Sequence, residues 1–292
     1  MTGHFTAKRA QRLRWALFLV GVLGLSGCKS GGWIGDNREL ARDIAGSNGF
    51  VERRFDAGLF VLAGFEKRGT TPQKPLVVYI EGDGHAWSSR YHISPDPTPW
   101  NPVSLRLAVQ DSAPNVLYLA RPCQFTVGSE RRNCSPAYWT THRFAPEVIE
   151  SANKAIERVK AEARASGVAL VGYSGGGSVA ALVAAERSDV VRLTTLAANL
   201  DHALWTRQHE ITPLSGSLNA ADVASRLQEV PQVHFIGGSD DVVPASVIES
   251  YVRRMTDTSH VRTVVVPGYD HDCCWIEAWP DLNRQSLLAE SR

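Results

Sequence analysis

The stretch VALVGYSGGGSVAALVAA, residues 168–185, changes character twice. Its first part, VALV, is apolar on both faces of an extended chain, the pattern of a strand buried inside a sheet. Its last part, SVAALVAA, is rich in helix-forming alanine and leucine. Between them Ser174 stands among Gly172, Gly175, Gly176 and Gly177. A turn this abrupt forces the residue at its apex into a strained backbone, and glycines two positions to either side remove the Cβ atoms that would strike the strand and the helix. Ser174 is therefore either the cap of a glycine-rich helix start or a hydroxyl held out toward a substrate. The stretch by itself fits both.

Working outward, five more apolar runs recur: PLVVYIEG (75–82), NVLYLARP (115–122), VVRLTTLAA (190–198), QVHFIGG (232–238) and VRTVVVPG (261–268). Runs of this kind indicate strands covered on both faces, and helical patterns over 145–166 and 177–187 supply crossovers between them. Weaker runs at 51–54 and 59–65 read as an antiparallel pair leading in. The expectation is a mostly parallel central sheet with helices on both faces. At 292 residues and 43% hydrophobic, the chain suits one large α/β domain. Lys and Arg total 31 against 30 Asp and Glu, with no long run of one sign, so the electrostatic footprint of a nucleic-acid binder is absent.

In open sheets of this class, chemistry collects in the loops that follow strands. A serine hydroxyl is a poor nucleophile at neutral pH and needs a base that is itself held by an acid. His260 precedes the run VRTVVVPG and falls at the wrong end of that strand. His271 follows the same run and falls at the right end, which makes it the candidate base. Asp240 and Asp241 follow QVHFIGG, and Asp201 ends the preceding strand segment, so all three are candidate acids.

GYSGG (172–176), the serine-acid-histidine order and the loop IEGDGHAW (80–87) together resemble the α/β-hydrolase fold from about residue 51 onward. GSDDVVP (238–244) looks like the turn after strand seven of that family, where the acid lies four residues before the proline; this favours Asp240. The resemblance implies an oxyanion hole built from the amides of Gly175 and Asp83, with Gly84 as the alternative to Asp83. Glu81 stands where the family often carries a histidine, and a carboxylate there opposes an oxyanion unless it is turned away and paired; Arg121 is the expected partner. YIEGDGHAW, ARPCQ (120–124), YWTTHRF (138–144), LDHALWT (200–206) and LSGSLNAAD (214–222) resemble a group of bacterial α/β-hydrolase lipoproteins, a likeness that implies a fold and a triad but names no substrate.

The amino terminus has its own logic. Lys8, Arg9, Arg12 and Arg14 precede an apolar run from Trp15 to Leu25, too short to span a bilayer but fit for a signal peptide. The run ends in LSGC (25–28), which resembles the lipobox of bacterial lipoproteins, so Cys28 is expected to be acylated after removal of residues 1–27. Lys29 follows rather than an aspartate, which favours the outer membrane of a bacterial envelope. Residues 28–49 read as a lipidated tether and 50–292 as the hydrolase domain, with 199–230 a small cap segment after strand six. In an oxidising compartment Cys123 and Cys134, close together in one loop, are expected to form a disulfide. The adjacent Cys273 and Cys274 would form only a strained ring with each other. HDCC (271–274) has no second ligand pair, so no metal is expected; nor is any organic cofactor required.

Trp87, Trp100, Trp139, Trp205 and Trp275 lie in or beside strand-following loops. They line a pocket for an apolar acyl group or, for most of them, pack the long loops. The expectation from sequence is a lipid-anchored serine hydrolase acting on a small-molecule carboxylic ester or related acyl bond. An acyltransferase or peptidase with the same triad, and a non-catalytic envelope lipoprotein, are the alternatives.

Overall fold

The computed structural model describes residues 36–69 and 72–288. The expected signal peptide and the expected lipidation site Cys28 lie outside the described residues. Eight strands form one sheet: β1 (Val51–Ala57), β2 (Phe60–Arg68), β3 (Leu76–Ile80), β4 (Asn115–Leu119), β5 (Val168–Tyr173), β6 (Val190–Leu196), β7 (Gln232–Gly237) and β8 (Val261–Val266). Their order is β1-β2-β4-β3-β5-β6-β7-β8. The pairs β1–β2 and β2–β4 are antiparallel, and every later pair is parallel. A short hairpin, Trp87–Ser89 with His92–Ile93, stands apart from this sheet.

The alternation of side chains across each strand divides the core in two. On β3, Leu76, Val78 and Ile80 join one buried layer, while Val77 and Tyr79 join the other. The first layer is closed by α3 (Pro146–Ala163), α4 (Gly175–Ala185) and α6 (Ala245–Val252). The second is closed by α1 (Asn37–Gly46), α2 (Val103–Ala108) and α7 (Trp275–Leu288). In α3, Pro146 starts the helix, Val148, Ile149, Ala152, Ala155, Ile156 and Val159 form the buried stripe, and Arg164 ends it in a left-handed conformation.

Two expectations need correction. The tether expected over 28–49 ends earlier, because Asp36 caps α1 and Ala41 and Ala45, one helical turn apart, are buried against the second core layer. The run at β8 is not covered on both faces; it is the edge strand, and Val265 is exposed. The expected cap segment carries α5 (His202–Gln208) and a 3₁₀ stretch (Ala220–Leu227) whose apolar side packs into the first layer beside α4 and α6.

The β5–α4 junction explains the glycines. A Cβ on Gly172 would lie 2.4 Å from the Gly176 carbonyl oxygen, and one on Gly177 would lie 2.4 Å from the Ala198 Cβ. Gly177 thus lets α4 pack tightly against the end of β6.

Candidate active site

Ser174 sits between β5 and α4 with φ 52° and ψ −125°, a strained conformation for a residue with a side chain. Its hydroxyl makes no capping hydrogen bond to α4. Instead Ser174 Oγ lies 3.0 Å from His271 Nε2, and His271 Nδ1 lies 3.0 Å from Asp240 Oδ2. The Asp240 carboxylate is fully buried on its side-chain atoms. Its Oδ1 accepts the amides of Val242 at 3.0 Å and Val243 at 2.8 Å, which fixes the carboxylate in the turn after β7.

The backbone of His271 is held as firmly. Its carbonyl accepts from the Tyr173 hydroxyl at 2.9 Å and from Trp275 Nε1 at 3.0 Å, and Asp270 Oδ1 accepts the amides of Asp272 and Cys273. Tyr173 and Trp275 were not singled out for this role from sequence, since nothing in a linear pattern marks a side chain as the support of a distant carbonyl.

The other candidates fall elsewhere. Asp201 is buried but caps α5 and accepts from Leu204, Asn219 and Ser250. Burial pushes its carboxyl up, yet the hydrogen bonds from Ser250 and Asn219 outweigh this and hold it below the usual range. Asp241 is exposed, and His260 is exposed at the amino end of β8, where its carbonyl accepts from Gln232.

The loop after β3 runs beside Gly175. A Cβ on Gly175 would fall 2.2 Å from Asp83 Oδ1, so the two residues are in direct apposition. The Gly82 amide donates to Glu81 and the His85 amide to the Pro97 carbonyl. The amides of Asp83, Gly84 and Gly175 donate to nothing among the described residues. Gly175 opens α4, so its N–H also carries the positive end of a helix. Both Asp83 and Gly84 therefore remain available as second oxyanion donor.

The expected Glu81–Arg121 pair is not formed. Glu81 accepts from the Gly82 amide at 2.9 Å, the Ser104 amide at 3.3 Å and the Tyr118 hydroxyl at 3.1 Å. With no direct ion pair among the described residues, burial pushes its carboxyl up to about 7. Arg121 pairs with Asp83 instead, at 3.4 Å, and donates to the Arg143 carbonyl. Arg143, which carried no role in the sequence reading, reaches Asp83 Oδ2 at 2.5 Å and the Thr140 carbonyl at 2.8 Å. Burial pushes the Asp83 carboxyl up, but the guanidinium groups of Arg143 and Arg121 outweigh this and hold it low. Gln124 ties the same loop by donating to the Gly82 carbonyl. Segments ARPCQ and YWTTHRF thus meet IEGDGHAW at this one point.

A cavity of about 500 Å³ opens over Ser174, lined by Asp83, Trp87, Trp100, Arg143, Trp205 and His271 among others. Trp139 and Trp275 are buried away from it, with Trp139 Nε1 donating to the Ser94 carbonyl. Three of the five tryptophans therefore face the cavity and two pack the core, more than the packing reading expected. Cys123 and Cys134 are joined, and Cys273 and Cys274 are paired with each other.

The strand order and the turn that raises Ser174 above the sheet are those of the α/β-hydrolase fold, the scaffold of a large class of serine hydrolases. A sequence profile of the serine hydrolase (FSH1) family matches residues 110–271, and the chain belongs to that family. No curated protein sequence matches the chain. Among solved structures, the acylaminoacyl peptidase of Pyrococcus horikoshii superposes with a TM-score of 0.59 at 14% identity, over 83% of this chain and 41% of that one. The Pyrococcus furiosus esterase PF2001 superposes with a TM-score of 0.57 at 13% identity, over 85% and 91%. An alpha-beta serine hydrolase homologue from Coxiella burnetii gives 0.55 at 16% identity, over 82% and 96%. Likeness at this identity establishes the shared fold.

Proposed function

We propose that the protein is a lipid-anchored serine hydrolase that cleaves a carboxylic ester or related acyl bond through Ser174, His271 and Asp240. The observation that carries this reading is the unbroken hydrogen-bonded chain from Ser174 Oγ through His271 to Asp240, 3.0 Å at each step, with Ser174 free of any capping role. Ser174 Oγ attacks the acyl carbon while His271 Nε2 takes its proton. Asp240 holds the imidazole so that Nδ1 carries the other proton, and it stabilises the imidazolium that forms. The amides of Gly175 and Asp83 meet the developing oxyanion; each such donor is worth about 3 kcal/mol of barrier in comparable sites. His271 then protonates the leaving alcohol, and water repeats the sequence to release the acid. The wall formed by Trp87, Trp100 and Trp205 favours an apolar acyl or alkyl group.

The anchor is acylated Cys28, read from the basic, apolar and small-residue order of the first 28 residues. Among the described residues no helix is long and apolar enough to cross a membrane. A fluorophosphonate probe tests the chemistry: it labels the wild-type protein and not Ser174→Ala. Failure of the wild type to label, under conditions that label a control hydrolase, would overturn the proposal.

A further inference from the structure

One segment of the surface concentrates exposed aromatic carbon. Among the described residues the exposed large aromatics are Trp87 at 44%, Tyr91 at 80% and Trp100 at 66%. All three fall within residues 87–100. The hairpin 87–93 is exposed at every position, and Ile93 adds a further apolar side chain. A two-stranded hairpin has no core of its own, so nothing in folding calls for tryptophan, tyrosine and isoleucine on it. Arg90, at its turn, lies over the Tyr91 ring and forms no ion pair among the described residues. Amphipathic aromatic rings beside a free cation suit the headgroup level of a bilayer.

Two placements indicate what covers this patch. Trp87 and Trp100 also line the cavity above Ser174, so the patch is continuous with the cavity mouth. The chain also enters the folded domain here: Asp36 caps α1, and Arg38, two residues on, pairs with Asp96 between the hairpin and Trp100. Cys28 lies eight residues before Asp36, a span of at most about 28 Å of extended chain. Asp96 is neutralised by Arg38 and Arg131, leaving Arg90 as the uncompensated charge of the segment. The exposed acids Asp241, Asp270 and Asp272 stand on the loops after β7 and β8, and of them Asp272 lines the cavity together with Trp87 and Trp100.

We infer that residues 87–100 form a membrane-docking rim, which seats the cavity mouth on the lipid surface holding the anchor and admits acyl substrates from the bilayer interface. This rests on the lipid-anchored hydrolase reading.

The test uses a chain starting at Lys29, which retains the whole folded domain from Asp36 and lacks both the signal peptide and the acylated cysteine. It is mixed with large unilamellar vesicles of phosphatidylethanolamine and phosphatidylglycerol, and partition is read by co-sedimentation. The parent binds, and Tyr91→Ser/Ile93→Ser lowers partition roughly tenfold, by removing apolar area from water contact with the lipid. Both side chains are exposed and outside the cavity, so hydrolysis of water-soluble p-nitrophenyl acetate stays at the parent rate while hydrolysis of a vesicle-embedded long-chain ester falls with partition. Equal partition of parent and double variant overturns the inference. So does a parent that self-associates without vesicles through the same two residues, which would make a second copy the occupant. Loss of vesicle binding in the variant with no esterase activity in either protein would sink the hydrolase reading and leave the docking rim standing.

Discussion

Replacing Arg143 by methionine removes the closer of the two cations on Asp83 and keeps most of the apolar stem. The Arg143–Asp83 contact is 2.5 Å, and the Asp83 side chain is 20% exposed at the cavity wall. A pair at this depth attracts with about 4 kcal/mol at an effective dielectric near 20. Water entering through the cavity returns part of this, so about 2–3 kcal/mol of restraint on the loop is lost. Arg121 remains, but at 3.4 Å and pulling from one side only. The carboxylate is then freer to move over Gly175, and the Asp83 amide leaves its position. A lost oxyanion donor of this size lowers kcat about a hundredfold with little change in KM. The assay is steady-state hydrolysis of p-nitrophenyl acetate by wild type, Arg143→Met, Asp83→Asn and the double variant. Asp83→Asn keeps the backbone amide and removes the charge, so once it is present the further loss from Arg143→Met shrinks to a few-fold. Strict additivity across the four proteins, or an Arg143→Met enzyme within twofold of wild-type kcat, would refute the reasoning.

Three other outcomes follow from the same geometry. Asp240→Asn lowers kcat on the order of ten-thousandfold by spoiling the imidazole tautomer, whereas Asp241→Asn leaves it unchanged and Asp201→Asn lowers the melting temperature first; the three are separated by kinetics and thermal melts. Glu81 binds its proton more tightly folded, near 7, than unfolded, near its ordinary 4.5. Between those two values the folded state holds more protons, so stability falls as pH rises through this window, by an amount on the order of 3 kcal/mol; Glu81→Gln removes this slope, and denaturant titrations at several pH values measure it. Cys123→Ser/Cys134→Ser opens a loop of sequence separation 11 and costs about 3 kcal/mol of unfolding free energy, measured by chemical denaturation.

That Ser174, His271 and Asp240 meet was legible because each follows a rule of order and position: a candidate nucleophile between strand and helix, then a candidate acid and base on strand-following loops. His260 was excluded by the same rule and lies at the far end of β8. Helix α1 was not legible, since its buried stripe consists of only Ala41 and Ala45 in an otherwise polar segment. The edge position of β8 was hidden because the four valines of VRTVVV read as a covered strand, although Arg262, Thr263 and Val265 meet water. The partner of Glu81 was misjudged because a buried carboxyl has two routes to stability, a cation or a proton, and sequence does not say which is taken. Burial favours the proton, against the opposing pull of the Tyr118 hydroxyl and two amides, and Arg121 joins Arg143 on Asp83 instead. Exchanging the partners would leave Asp83 unneutralised against Gly175, where the proposed mechanism places the oxyanion. A carboxyl at Glu81 raised by burial and two cations at Asp83 are thus one arrangement, and it limits the negative charge that two acidic residues bring to the loop beside Gly175.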